Sequence, residues 1–414
     1  MTPPARVLHC EGNLDGTIGG SYFSLLYLAI GLDKTRFEPL IVFHRPNPLE
    51  STFHAAGLRT RVIPAPGAFN LPGGSTPIVG RISGLVQKTV NSARFLWQVW
   101  RCARILRAER IDLLHLNNSL NRSHAWMIGA RLAGVPCVVH ERGINHRFPR
   151  IVRLLAPRVD AVICISQAVR DNLVVRGITR DNLVIISNGL DPAKVVPKRP
   201  AAAVRDALGL PAGTRLIGLV GNIKEWKGQD VLVRALPAIL ARVPDVHCLF
   251  IGDTAASDKP YEHRVRALAD ELGVATRVAF TGYQKDVPDF INALEVAIHA
   301  SVAPEPFGRV LLEAMALRKP VVGSRSGAVP EIVVDGQTGF TFEPRSADAL
   351  AEAVVTLLQD GDRARRMGEA GLSRLDSVFH IRLNVERTMR LFDHLLSRRP
   401  GPLPDFGADP TAGV

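Results

Sequence analysis

The amino-acid sequence predicts an α/β fold built from two doubly wound domains with parallel sheets. Short apolar runs alternate with longer helical patterns along both halves of the 414-residue chain, which is typical of repeated strand–helix units. The chain is long enough for two hydrophobic cores. Its composition, 46% hydrophobic and 22% charged, is that of a soluble globular protein. No signal-peptide pattern and no apolar run of about 18 residues is found, so we expect a cytoplasmic protein without a spanning helix.

Apolar periodicity places the individual elements. The predicted strands are Arg6–His9, Pro39–Phe43, Leu113–Leu116, Cys137–His140 and Ala161–Ile165 in the first half, and Arg215–Val220, Val246–Ile251, Val278–Thr281, Val296–Ala300 and Pro320–Gly323 in the second. The predicted helices include Gly20–Leu32, Val90–Glu109 and Ile381–Ser397. The order of these elements indicates one parallel sheet in each half.

A stretch rich in Pro, Ala and Lys, residues 191–203, marks the expected domain boundary. We expect an N-terminal Rossmann-like domain over 1–195, a C-terminal one over 204–378, and a final helix over 379–398 that packs back toward the N-terminal domain. The Pro- and Gly-rich tail 399–414 is expected to be disordered. Two such domains should face each other across a cleft. Ligands of open α/β sheets bind beyond the carboxyl ends of the strands, so the loops there are the first candidates for a site.

The five cysteines are scattered through apolar contexts, with no CxxC pair. They are Cys10, Cys102, Cys137, Cys164 and Cys248. We interpret them as buried free thiols rather than disulfides or metal ligands, which fits a reducing cytoplasm. No DxD metal motif or clustered histidine pattern stands out, so neither a metal nor another cofactor is expected.

Residues 301–320, SVAPEPFGRVLLEAMALRKP, combine two glutamates with an otherwise apolar helix. The helix should begin near Gly308, with an apolar stripe at helical spacing. The stripe consists of Val310, Leu311, Ala314 and Leu317. Glu313 interrupts this apolar helix, and a buried carboxylate is costly unless hydrogen-bond donors such as sugar hydroxyls satisfy it. The backbone N–H groups that open the helix form an anion site, so the segment suits a sugar phosphate.

The run EPFGRVLLE resembles the EX7E motif of the retaining GT-B glycosyltransferases, family 4, and the resemblance extends over most of the chain. VGNIKEWKGQD (220–230) is similar to the loop whose basic residues hold the donor diphosphate, and ISNGLD (186–191) is similar to the segment that closes the first domain. GYQKDVPDFINALEVAIHAS and SGAVPEIVVDGQTGF have the order and spacing of the family. The resemblance implies a GT-B fold and a nucleoside diphosphate-sugar donor bound by the second domain.

The resemblance also implies roles for individual residues. Glu313 would bind the ribose hydroxyls of the nucleotide and Glu305 would face the transferred sugar. The backbone amides of four residues would contact sugar and phosphate; these are Phe307, Gly308, Arg309 and Val310. The alternative for Glu313 is a capping or ion-paired helix residue.

Lys227 would place an ammonium beside the leaving diphosphate and stabilise the charge that develops there. The alternative is a solvated loop lysine. Many relatives have an arginine where this chain has Asn222, which can donate a hydrogen bond but carries no charge. Lys224 is the candidate to compensate for the missing cation.

In the first domain, the resemblance places a glycine-rich turn and a histidine near the reacting groups. GTIGGSYFSLL follows the first strand, and Gly19 and Gly20 would let the backbone approach the diphosphate and acceptor, unless this is an ordinary turn. His140 ends the run CVVH and would contact the donor sugar or position the acceptor; a core histidine is the alternative. Glu141 and Arg142 are further acceptor candidates, and His115 ranks below His140.

Positive charge is concentrated in the first half of the chain. Residues 1–200 hold 26 Lys+Arg against 12 Asp+Glu, whereas residues 201–414 hold 25 against 27. Residues 78–110 carry seven basic residues and one acid, interleaved with Phe95, Leu96, Trp97, Val99 and Trp100. This pattern predicts an amphipathic helix on an anionic membrane surface, involving Arg94, Arg101 and Arg104. The alternative is a core-packing helix with solvated arginines; no nucleic-acid recognition module is present, so nucleic acid is not an expected partner.

The sequence therefore predicts a cytoplasmic glycosyltransferase bound peripherally to the inner face of the membrane. It would move a sugar from a nucleoside diphosphate donor to a saccharide or lipid-linked acceptor with retention of configuration, in cell-surface polysaccharide or glycolipid synthesis. Two other functions remain open: a GT-B-type sugar-nucleotide epimerase, and a catalytically silent membrane-associated nucleotide-binding scaffold.

Overall fold

The computed structural model describes residues 3–12, 20–47, 50–65, 77–179, 181–397 and 401–406, with no side-chain description for 77–82. The chain divides into two compact units. The first contains the described residues up to Ile165 together with Val169–Ile186 and Val385–Phe406. The second contains Ser166–Ala168 and Ser187–Asn384. Each unit is an α/β domain with one sheet.

The described part of the first unit is built on a seven-stranded parallel sheet. Its strands are β1 (Ala5–Cys10), β2 (Phe37–Phe43), β3 (Arg59–Val62), β4 (Leu113–Leu116), β5 (Cys137–Glu141), β6 (Ala161–Cys164) and β7 (Leu183–Ile185). They lie in the order β3-β2-β1-β4-β5-β6-β7. The strand order reverses between β1 and β4, and the carboxyl ends of neighbouring strands at such a switch point form the ligand edge of the sheet.

The first six helices pack around this sheet. They are α1 (Gly20–Gly31), α2 (Glu50–Ala55), α3 (Pro77–Ala108), α4 (His124–Ala133), α5 (Arg150–Leu155) and α6 (Gln167–Val175). All residues of β6, and Val138 and Val139 of β5, are completely buried. Burial on both faces is the reason why these strands are continuous apolar runs without alternation.

The second unit contains, within its described residues, a six-stranded parallel sheet in the order β10-β9-β8-β11-β12-β13. Its strands are β8 (Arg215–Val220), β9 (Val246–Ile251), β10 (Val278–Phe280), β11 (Val296–His299), β12 (Val321–Ser324) and β13 (Gly339–Phe342). Its helices are α7 (Ala201–Ala207), α8 (Gln229–Arg242), α9 (Lys259–Glu271), α10 (Val287–Ala293), α11 (Arg309–Ala316), α12 (Val329–Ile332), α13 (Ala347–Gln359) and α14 (Gly361–Val378). The strand order reverses between β8 and β11, which makes their carboxyl ends the second candidate ligand edge.

The last helix, α15 (Ile381–Leu396), contributes its residues from Val385 onward to the first unit. A Cβ on Gly31 would lie 2.7 Å from a methyl of Val385, so the glycine permits the close contact with α1. Phe392 is completely buried, with its ring centroid 6.0 Å from that of Phe37. Beyond the helix, residues 401–406 lack regular secondary structure, while the rest of the tail predicted to be disordered lies outside the described residues.

The predicted fold class is confirmed, and three strands have the predicted bounds: β4, β8 and β9. Strands β3, β7 and β13 were not predicted. The sequence of β3, RTRV, is polar because the strand lies at the edge of the sheet, β7 has only three residues, and β13 begins with a glycine. Helix α3 begins well before the predicted Val90, because glycines in its first turns obscure the helical pattern.

Candidate functional site

The Glu305 carboxylate is the centre of a buried polar cluster at the carboxyl end of β11. Its Oε2 atom lies 2.7 Å from Lys227 Nζ and 3.0 Å from His299 Nε2, and Ser301 Oγ lies 3.5 Å away. Only 16% of the Lys227 side chain and 10% of the Glu305 side chain is exposed to solvent. Lys227 Nζ also lies 4.0 Å from the centroid of the Trp226 ring. The structure thus brings Glu305 and Lys227 together, as a shared site requires.

Burial acts to raise the pKa of Glu305, but the hydrogen bond from His299 and the charge of Lys227 outweigh it and lower the pKa to about 2. The carboxylate is therefore ionised at neutral pH. An ionised carboxylate accepts hydrogen bonds and cannot supply a proton, so Glu305 is suited to bind hydroxyl groups rather than to act as a general acid.

Two backbone approaches position this cluster. The turn Glu225–Lys227 is joined to the loop after β11 by a hydrogen bond from Val302 N to Trp226 O of 2.8 Å. Gly228, with φ of 69°, follows this turn, and a Cβ there would lie 2.1 Å from Ala300 O. On the other side, Ala328 N donates to Glu305 O at 2.8 Å, and a Cβ on Gly327 would lie 2.2 Å from the same oxygen. Both glycines are needed for these contacts because any side chain would force the loops apart.

Helix α11 begins directly after this loop, with Gly308 as its N-terminal capping residue in the left-handed region at φ of 97°. The side chains buried on the helix are those of Leu311, Leu312, Ala314 and Met315. Val310 and Leu317 of the predicted stripe are only half-buried, while Leu312 and Met315 on the opposite face are buried as well. A helix covered on most of its surface explains why apolar residues surround Glu313.

Glu313 forms an ion pair with Arg309 one turn earlier, with 3.1 Å between Arg309 Nε and Glu313 Oε1. Burial raises the pKa of Glu313, while the Arg309 charge and hydrogen bond act in the opposite direction. The Glu313 side chain keeps 21% of its area exposed, so a ligand can reach it. The ion-paired interpretation of Glu313 and a ligand-binding role are compatible, because a carboxylate accepts several hydrogen bonds.

The remaining predicted residues of the second unit differ in their surroundings. Asn222 is exposed, and its carbonyl accepts a hydrogen bond of 3.2 Å from Gln229 Nε2. Lys224 Nζ lies 3.7 Å from Asp258 Oδ2, so the candidate compensating cation already has an acidic neighbour. Phe307 is buried. The histidine that sequence reasoning missed is His299: it ends the apolar run VAIH, where nothing distinguishes it from a core residue.

In the first unit, polar residues cluster at the carboxyl ends of β1, β4 and β5. His140 is completely buried, and its Nδ1 lies 3.3 Å from both His115 Nε2 and an Nη atom of Arg142. Arg142 also donates to the carbonyl and the side-chain oxygen of Asn117, at 2.9 and 2.7 Å. Gly20 opens α1 and is exposed, with no atom within 4 Å of a Cβ built on it, while Gly19 lies outside the described residues.

Two buried glutamates tie the loops at this edge together. Glu141 accepts hydrogen bonds from Ser119 Oγ, Leu120 N and Asn145 Nδ2, at 3.1, 2.9 and 3.1 Å. Burial raises the pKa of Glu141 from 4.5 to about 7, although these hydrogen bonds act to lower it. Glu11, which sequence reasoning missed, accepts from Asn117 Nδ2 at 2.6 Å. The asparagine side chains that donate to it, Asn117 and Asn118, are 106 and 107 positions away, so no local signal could have revealed it.

All five cysteines are buried free thiols, as predicted. Among the described residues, no group of three or more His, Cys, Asp or Glu side chains is arranged to hold a metal ion. No helix in the described part of the chain is long and apolar enough to cross a bilayer.

Both halves of the chain match models of known protein families. Residues 18–194 match the family model described as Glycosyltransferase Family 4, and residues 201–374 match the model described as Glycosyl transferases group 1. The glutamate–lysine cluster and α11 lie within the second match, and the buried histidines His115 and His140 lie within the first.

Two curated relatives align with about half the length of the chain. A D-inositol 3-phosphate glycosyltransferase of Corynebacterium aurimucosum is 33% identical over 219 residues, which cover 51% of this chain and 51% of that protein. A GDP-mannose-dependent alpha-(1-6)-phosphatidylinositol monomannoside mannosyltransferase of Mycolicibacterium smegmatis is 36% identical over 200 residues, covering 44% and 49%. The chain thus spans about half the length of these relatives.

The crystal structure of HepE from Anabaena in complex with UDP is similar over nearly the whole chain. Its TM-score is 0.77 at 22% identity, and the match covers 94% of this chain and 100% of that one. At this identity the similarity establishes the fold, which is the GT-B combination of two parallel-sheet domains.

We expect Gly327→Ala to destabilise the second unit much more than Gly336→Ala. Both glycines have positive φ, 61° and 72°, so both variants carry a left-handed backbone cost of about 1–2 kcal/mol. Only at residue 327 would the Cβ collide with Glu305, adding about 1–3 kcal/mol of steric strain, because a Cβ on Gly336 meets no atom within 4 Å. Denaturant unfolding measures the difference, and equal midpoints for the two variants would contradict the argument.

We expect the stability of Glu141→Gln relative to wild type to rise with pH. Because the pKa of Glu141 is raised to about 7 in the folded protein, the unfolded chain loses this proton first. The contribution of Glu141 to the free energy of unfolding therefore falls by up to about 3 kcal/mol between pH 4.5 and 7. Above pH 7 it is constant.

Urea unfolding of both proteins at pH 5 and 6, within the transition, and at pH 8, about one unit above it, measures this contribution. Glu386→Gln, an exposed residue of α15, is the control. A difference between wild type and Glu141→Gln that does not change with pH would show that Glu141 has an ordinary pKa.

Proposed function

Because the chain belongs to the glycosyltransferases, with family 4 matched by its first half and group 1 by its second, we propose that it transfers a sugar from a nucleoside diphosphate donor. The acceptor is a saccharide or a lipid-linked sugar, and the anomeric configuration is retained. The observation that carries this proposal is the contact of Lys227 with Glu305 beside the N-terminus of α11.

The donor would bind around this cluster. Glu305, ionised at neutral pH, accepts hydrogen bonds from hydroxyls of the transferred sugar. The ammonium of Lys227 has three N–H donors, so one can remain on Glu305 while the others bind a phosphate oxygen. The amides from Phe307 to Val310, at the positive end of α11, contact the diphosphate, and Glu313 binds the ribose hydroxyls.

The names of the similar proteins support a nucleotide-sugar donor without selecting its base. HepE was crystallised with UDP, and the mycobacterial relative is GDP-mannose-dependent. Both nucleotides present a diphosphate and a ribose, which are the groups that the cluster and Glu313 are suited to bind. The donor requires no metal in this proposal, because Lys227 and the positive end of α11 offset the diphosphate charge and Asn222 can donate a hydrogen bond to it.

The reaction would proceed by substitution on one face of the sugar. As the bond from the anomeric carbon to the diphosphate breaks, the acceptor oxygen forms its bond to the same carbon and gives its proton to the leaving phosphate. Lys227 stabilises the charge on that phosphate. Glu305 is not a proton donor at neutral pH, and its contacts with Lys227 and His299 hold it in place as a sugar ligand. In the first unit, His140 and the backbone at Gly19 and Gly20 would position the reacting sugar and acceptor.

We expect Glu313→Ala to weaken nucleotide binding by about 10- to 100-fold, because hydrogen bonds to a charged group contribute about 1.5–3 kcal/mol. Calorimetric titration with UDP and with GDP measures this loss. The matched control is Glu369→Ala, which breaks an Arg–Glu pair of the same spacing on α14, with Arg365 Nη1 3.2 Å from Glu369 Oε1. Unchanged nucleotide affinity in Glu313→Ala would rule out the ribose contact.

The same preparation tests the reaction class. Proton NMR of the product identifies its anomeric configuration, and inversion would contradict the proposed mechanism. Epimerisation of the sugar nucleotide without an acceptor would favour the epimerase alternative, and nucleotide binding without turnover would favour the silent scaffold. No binding of either UDP or GDP would refute the proposed function itself.

We further propose that α3 binds the inner face of an anionic membrane, where a lipid-linked acceptor would be found. Leu96, Trp97 and Trp100 keep 67%, 50% and 54% of their area exposed, far more than a core-packing helix face would leave. The guanidinium groups of Arg101 and Arg104 lie 5.3 Å from the rings of Trp97 and Trp100, respectively. Aromatic and cationic groups on one helix suit the interface between headgroups and acyl chains.

We expect replacement of Arg94, Arg101 and Arg104 by Gln to reduce binding to phosphatidylglycerol vesicles by about 100-fold, at about 1 kcal/mol for each cation. Vesicle sedimentation at low and high salt measures binding. The control replaces the exposed Arg318, Arg345 and Arg366 of the second unit by Gln, which changes net charge equally. Equal loss in both triple variants, or none in the first, would exclude α3 as the membrane contact.

A further inference from the structure

Three buried histidines form a hydrogen-bonded chain at the ligand edge of the first unit. His9, His115 and His140 lie on the neighbouring strands β1, β4 and β5, and each is completely buried. His9 Nδ1 lies 2.9 Å from His115 Nδ1, and His115 Nε2 lies 3.3 Å from His140 Nδ1. The outer atoms, His9 Nε2 and His140 Nε2, have no hydrogen-bond partner among the described residues.

All three rings are neutral at physiological pH. Burial lowers the pKa of His9 to about 3, with a smaller effect of Lys34. Burial also lowers the pKa of His115 and of His140 well below the ordinary value, and the charge of Arg142 acts in the same direction on both. Each neutral imidazole has one N–H group and one lone pair, so every contact in the chain must join a donor to an acceptor.

Arg142 determines the direction of this chain. A guanidinium group can only donate, and an Nη atom of Arg142 lies 3.3 Å from His140 Nδ1, so that nitrogen must carry the lone pair. Burial lowers the pKa of Arg142 to about 10, which leaves it charged at neutral pH. Its contacts with both oxygens of Asn117 keep the guanidinium in this orientation.

The other protons follow from this constraint. With the lone pair of His140 on Nδ1, its proton is on Nε2. The facing His115 Nε2 must then donate to the same lone pair, which is shared by His115 and Arg142. His115 Nδ1 is then the acceptor for His9 Nδ1–H, and the lone pair of His9 Nε2 ends the chain. The opposite direction would point the N–H of His140 at the N–H of Arg142, which is repulsive inside a low-dielectric core.

We propose that Arg142 and His115 are positioning residues that hold His140 as its Nε2–H tautomer. His140 then offers one hydrogen-bond donor to an oxygen of the ligand, of the hydroxyl or carbonyl class, and has no free lone pair for proton abstraction. The proposal rests on the proposed role of His140 in sugar binding and deepens it: His140 is a donor and not a base. It also changes the expected role of Arg142. The sequence predicted that Arg142 contacts the acceptor substrate, whereas here it acts through His140.

Long-range ¹H–¹⁵N correlation spectra of the full chain with ¹⁵N-labelled histidine test the proposal. The chemical shifts of the two ring nitrogens distinguish the tautomers, and single His→Gln variants assign the signals. We expect His140 in wild type to be a single Nε2–H tautomer at pH 7. An Nδ1–H tautomer or a charged imidazolium at His140 would overturn the proposal. The wild-type measurement needs no variant and no sugar, so absence of transferase activity would refute the proposed function and leave this result intact.

Replacement of Arg142 tests whether this residue sets the tautomer of His140. In Arg142→Met the chain can reverse, so we expect signals of both tautomers at His9, His115 and His140 together. Arg142→Lys retains a cationic donor, so in this variant we expect the single tautomer of the wild type. In His115→Phe, Arg142 alone should keep His140 as Nε2–H. A wild-type spectrum that persists unchanged in a folded Arg142→Met protein would show that Arg142 does not set the tautomer.

Discussion

The contact between Lys227 and Glu305 is the constraint on which the second unit depends. A buried carboxylate is tolerated only with charged or hydrogen-bonding partners, and here the partners come from the turn after β8 and from β11 itself. Gly228 and Gly327 allow backbone segments to approach this pair within distances that exclude any side chain. The same contacts that stabilise the carboxylate therefore determine the shape of the loops that would receive a sugar phosphate.

In the first unit, the buried carboxylates are stabilised by neutral hydrogen-bond donors. The ligand edge of this unit carries three completely buried histidines, two completely buried glutamates and the half-buried Arg142. Glu11 and Glu141 accept hydrogen bonds from amide and hydroxyl donors of the loops, and the histidines contact one another, while the outer atoms His9 Nε2 and His140 Nε2 have no partner among the described residues. Because Arg142 contacts both Asn117 and His140, it connects the loop after β4 with the end of β5. A network of this kind is rigid, since moving one group leaves another without its hydrogen bond.

The sequence could predict the fold class and the segment around Glu305 and Glu313 because both have local signals. Alternating apolar runs reveal the buried strands, and a glutamate between prolines or inside an apolar helix is conspicuous. The polar edge strand β3 and the three-residue β7 lack such signals, so they could not be found. His299 could not be identified either, since a histidine at the end of an apolar strand has the same pattern whether it packs in a core or contacts a carboxylate.

The sequence by itself determined the two parallel-sheet domains and the helix that follows Glu305, because periodicity and glycine placement act over a few residues. Only the tertiary structure decided which charged groups meet: Lys227 and Glu305 are 78 positions apart, and Glu11 and Asn117 are 106 apart. Hydrogen bonds between such residues depend on the order of strands in the sheet and on close approaches at particular glycines. Those are properties of the folded chain, since a polar side chain acquires its partner only when packing removes it from water.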